Sequence, residues 1–133
     1  MGKGKIYYQK AKQYLSEMMD GQHEKEVAMI RQRMQPRWAQ AQNCKVEEID
    51  YTDPFVSVEW KLCDMGVERT LRNGTDEERA KILSTWSPAE LDVYYNGDHG
   101  LTGPSYKEQI EDGSFMKMVG KAMIGKVKNR KSV

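Results

Sequence analysis

His99 stands beside Asp98 in the most irregular stretch of the chain, Asn96 to Pro104, which reads Asn-Gly-Asp-His-Gly-Leu-Thr-Gly-Pro. An imidazole next to a carboxylate is raw material for general acid–base catalysis or for a metal site. Adjacent residues seldom pair usefully through their own side chains, however, and the other histidine, His23, lies far away near an expected helix start. The segment lacks oxygen ligands at the spacing of a calcium loop and the Gly-Lys-Ser/Thr ending of a phosphate cradle. Its glycines make a connector the plainer reading, one that allows close approach of a ligand or partner.

The other reactive residue types form no set. Cys44 and Cys63 are far apart and in no C-x-x-C arrangement, which excludes a disulfide framework and a zinc pattern. Neither has an evident base or cationic neighbour, so unreactive thiols are expected. Glu47-Glu48 and Glu77-Glu78 read as solvated strand residues and a capped helix start, and Asn73-Gly74-Thr75 reads as a turn. Gly120 to Gly125 neither follows a strand nor ends in Ser or Thr. With no nucleophile, base and orienting group together, no catalytic residue, metal ligand or cofactor is assigned.

Charge is distributed more tellingly. The chain of 133 residues has a formal charge of +1. Gly113 to Val133 holds six basic residues (Lys117, Lys121, Lys126, Lys128, Arg130, Lys131) and no acid, or +6; the remaining fifteen basic against twenty acidic residues leave −5. Met116, Val119, Met123 and Val127 would share one face of that tail. Like charges so close repel, so the tail gains when something anionic meets it: nucleic-acid phosphate, an acidic protein patch or, less in keeping with the rest, a membrane surface. The plain alternative is a solvated helix end whose lysines answer the helix dipole. No helix-turn-helix, zinc finger or aromatic-rich basic sheet accompanies the tail.

These residues need a scaffold. Phe55 to Leu62 alternates, with Val56, Val58, Trp60 and Leu62 against Ser57, Glu59 and Lys61, which predicts a strand with one dry face. Val46 to Tyr51 and Val67 to Arg72 would flank it, joined by turns at Asp53-Pro54 and Asp64-Met65-Gly66. Upstream, Tyr7, Ala11, Tyr14, Leu15 and Met18 lie on one helical stripe, and Val27, Ile30, Met34, Trp38 and Ala41 on another. Gly21 would separate the two helices, and Pro36 would kink the second. Downstream, Thr75–Glu78, Ser87–Glu90 and Ser105–Glu108 are capping boxes opening short helices, the second strengthened by Pro88. A last helix is expected from Phe115 to Val127.

The expectation is therefore an α+β protein: an N-terminal helical hairpin, a small three-stranded antiparallel meander, then three to four short C-terminal helices. Residues 1–112 would form one compact domain, and 113–133 a basic amphipathic helix and tail. With 38% hydrophobic residues the core is modest, compatible with self-association. No apolar leader and no run near the ~18 residues of a membrane span point to a cytoplasmic protein. The functional expectation is a small non-enzymatic interaction protein that binds a protein partner through exposed surfaces, the tail and the Asp98-His99 loop among them. Its general character would suit a phage-encoded modulator or inhibitor of a host complex. A nucleic-acid-binding accessory protein using the tail is the alternative, and a small enzyme centred on Asp98 and His99 the second.

Overall fold

The computed structural model describes residues 2–97 and 104–121, and for residues 2–20 the backbone alone. Among the described residues every regular element is helical, and there is no strand. The expected meander is replaced by helices, which overturns the α+β assignment. The elements are α1 (Gly2–Gln42), α2 (Pro54–Leu62), α3 (Met65–Asn73), α4 (Asp76–Leu83), α5 (Pro88–Asn96), α6 (Tyr106–Glu111) and α7 (residues 114–121). A short 3-10 turn, Val46–Glu48, takes the place of the first expected strand.

The reason for the reversal is legible in α2. Asp53 caps it by accepting from the Phe55 amide at 2.9 Å, and Pro54 occupies the first turn, where its missing N–H costs nothing. The buried residues are Phe55, Val56, Val58, Glu59, Leu62 and the C-cap Cys63. These recur at spacings of three and four and form one helical face that includes a carboxylate. Trp60, expected inside with its alternate neighbours, is 37% exposed. Asp64 then caps α3 through the amides of Gly66 and Val67, so the expected hairpin turn is a helix start. Val67 to Arg72 consequently turns through α3, burying Leu71.

Nor is there an N-terminal hairpin: α1 runs unbroken through Gly21 and Pro36 for 41 residues. A glycine inside a helix costs only about 1 kcal/mol relative to alanine, too little to break one flanked by good helix formers. Proline costs more, about 3 kcal/mol, but Met34 and Trp38 on either side of it are buried at 1% and 0% exposure. Val27, Ile30, Met34, Trp38 and Ala39 face the core, while Ala41 is exposed. Asn43, at a left-handed φ of 52°, ends the run.

The C-terminal half follows its caps. Thr75 and Ser87 form complete capping boxes with Glu78 and Glu90, and Ser105 accepts from the Glu108 amide. Helix α5 packs on α2 and α6, and α3 on α4 and α6. Phe115 and Val119 of α7 close the same core, whose members include Trp38, Val56, Leu62, Leu71, Tyr94, Tyr106 and Ile110. No described helix is long and apolar enough to cross a membrane.

Candidate interaction surface

The buried carboxylate of Glu59 decides how α1 and α2 sit together, and through them what reaches the surface. Arg37 of α1 grips it in a two-point bond, Nε to Oε1 at 2.9 Å and Nη2 to Oε2 at 2.8 Å. The Trp38 indole N–H donates to Oε1 at 2.9 Å and the Tyr106 hydroxyl to Oε2 at 2.7 Å. Glu59 is 0% exposed, so it must be fully partnered, and it is. Hydrogen bonding to Glu59 pushes the Arg37 pKa up. With Glu59 turned inward, the next residue, Trp60, is turned out.

Trp60 lies at the centre of a ring cluster. Its centroid is 5.3 Å from that of Tyr51, edge to face, and 6.0 Å from that of buried Trp38. The Arg31 guanidinium lies 4.2 Å from the ring centroid, and its Nε donates to the Trp60 carbonyl at 3.0 Å. Gln35 holds the Tyr51 hydroxyl at 3.2 Å. Tyr51 and Trp60 are 41% and 37% exposed, large aromatic surfaces held at one site. A Trp–Tyr–Arg group of this kind has the composition of energetic hot spots in protein interfaces.

The remaining polar clusters are structural. Glu90 sits between Ser57, Lys61 (2.6 Å) and the Ser87 amide, and Ser57 donates its hydroxyl to the same oxygen as Lys61. Burial works against its charge, but the bonds from Lys61, Ser57 and the Ser87 backbone prevail and hold the carboxyl down at about 2. So acidic a group is a poor base for the Ser57 hydroxyl. His23 meets Asp64 at 3.1 Å, an oxygen that also caps α3 at the Gly66 amide. A cavity of about 540 Å³ between α3, α4, α5 and α6 is rimmed by Arg72, Arg79 and Lys107. Each of those cations is already paired, with Glu68, Asp76 and Glu111 respectively. Burial pushes the Cys63 thiol up to about 12. Among the described residues no three His, Cys, Asp or Glu side chains gather as a metal would need.

Of the residues singled out from sequence, Lys117 and Lys121 are exposed on α7, one turn apart, while Phe115 and Val119 point inward. Lys126, Lys128, Arg130, Lys131, Asp98 and His99 lie outside the described residues. Cys63 is wholly buried. Models of known protein families, curated proteins and solved structures were all compared with the chain, and none matches it. Arg31, Tyr51 and Trp60 were not foreseen as a site. The Asp53-Pro54 cap, taken as a helix start, would have put Trp60 on the outer side of α2.

Proposed function

We propose that this is a small non-enzymatic interaction protein whose docking face is centred on Trp60, with Tyr51 and Arg31 beside it. The observation that carries the reading is the pair of exposed rings held by neighbours on α1: they gain by burial and lose little conformational freedom on binding. The experiment is parallel affinity capture from the native host with the wild-type chain and Trp60→Ala. Captured proteins are then remade pure and titrated calorimetrically. A protein that binds the wild type and loses at least about tenfold in affinity with Trp60→Ala supports the reading. Equal binding of every purified partner to both forms refutes it. The matched exposure of Lys117 and Lys121 favours a second reading, a nucleic-acid accessory protein using the basic tail. No binding of the intact protein to DNA or RNA at low salt removes that one.

A further inference from the structure

Next to the Trp60 cluster the surface sinks into a cleft of about 430 Å³ between α1, α2, α3 and α4, walled by Trp86 and Val67. Arg31, Lys61 and Lys81 converge on it from three different helices, against the single carboxylate of Asp64. Lys61 is held by Glu90, and Asp64, bonded to His23 and within electrostatic reach of Arg31, is the one lining carboxylate set against the three cations. Among the described residues neither Arg31 nor Lys81 has an ion-pair partner. Arg31 is also oriented: its Nε is fixed on the Trp60 carbonyl and its guanidinium carbon lies over the indole ring. Among the described residues that leaves the outer edge of the guanidinium, the part that matches a carboxylate in two parallel bonds, without a hydrogen-bond acceptor.

We propose that this cleft receives an acidic segment of a protein partner. Its carboxylates meet Arg31 and Lys81 while an adjoining apolar residue lies against Trp60 and Tyr51. The inference rests on the docking face proposed above and supplies the chemistry of what docks there. A single-stranded nucleic acid fits less well. Base stacking needs an open ring face, and Arg31 already covers Trp60 while Tyr51 and Trp38 crowd its flanks.

The test is an NMR titration of the full isotope-labelled chain at low salt with three probes: capped hexaglutamate, capped hexalysine and an oligothymidylate. Hexaglutamate is expected to move the Arg31 side-chain and Trp86 indole resonances. The response should vanish at high salt, and Arg31→Gln should weaken it roughly tenfold. Lys81→Gln, a change on an exposed residue outside the core, is expected to weaken it several-fold without altering the fold. Three results overturn the proposal: no shift at millimolar hexaglutamate, shifts centred on Lys117 and Lys121, or tighter binding of oligothymidylate in the cleft. The captured partner separates the two claims. If Trp60→Ala abolishes its binding while Arg31→Gln and Lys81→Gln leave it unchanged, the acidic-segment inference fails and the docking face stands. If Trp60→Ala changes nothing, the docking face itself fails.

Discussion

Replacing Glu59 by leucine tests the polar centre of the core. The substitution keeps most of the volume but removes the acceptor for two buried donors, the Trp38 indole and the Tyr106 hydroxyl, in residues exposed by 0% and 3%. Each buried hydrogen bond lost costs about 1–3 kcal/mol, so the pair costs about 2–6. Arg37, with its side chain 45% exposed, can turn to water and adds little. A domain of this size has about 5–15 kcal/mol in all, so Glu59→Leu should lose a large share of it. With a urea m-value of about 2 kcal/mol/M, a loss of 4 kcal/mol moves the midpoint by about 2 M, read by circular dichroism at 222 nm. Tyr106→Phe removes a donor without orphaning the carboxylate and should cost about 1–2 kcal/mol. A Glu59→Leu midpoint within about 0.5 M of wild type would refute the assigned role.

Three other outcomes follow from the structure. A Cβ at Gly74 would lie 2.5 Å from the Thr70 carbonyl oxygen, so Gly74→Ala should lower stability by about 1–3 kcal/mol, whereas Gly21→Ala, in open space inside α1, should raise it by about 0.5–1 in the same thermal melts. Because the folded Glu90 carboxyl is held at about 2 against an ordinary 4.5, its stabilisation is complete above 4.5 and lost as pH falls from there toward 2. Urea titrations across that window should show wild type losing more stability than Glu90→Gln. Finally, an aromatic disulfide reagent should label half-buried Cys44 in the native protein and reach Cys63 only on unfolding.

The helix starts at Thr75, Ser87 and Ser105 could be read from sequence because a cap is a local device: one side chain answers amides two or three residues away. The apolar phase of α1 was equally readable from Val27 to Trp38. The middle of the chain was not, and one residue accounts for most of that. Scored as polar, Glu59 breaks the helical face of Phe55, Val56, Val58 and Leu62 and leaves an alternation that resembles a strand. Its burial depends on Arg37 and Tyr106, 22 and 47 residues away, which no window around position 59 contains. Asp53 and Asp64 misled in the same direction, since an aspartate just before a proline, or two residues before a glycine, marks a turn as readily as a helix cap. The site was illegible for the same reason: Trp60 is outward only because Glu59 is inward.

The three indoles of this chain sit in unlike surroundings: Trp38 is sealed at 0% exposure, Trp86 nearly so at 6%, and Trp60 is open at 37%. An aqueous quencher such as acrylamide will therefore extinguish the light of one ring before the other two. Shielding from that quencher on mixing becomes an intrinsic optical signal of whatever covers Trp60, with no dye attached and no residue changed.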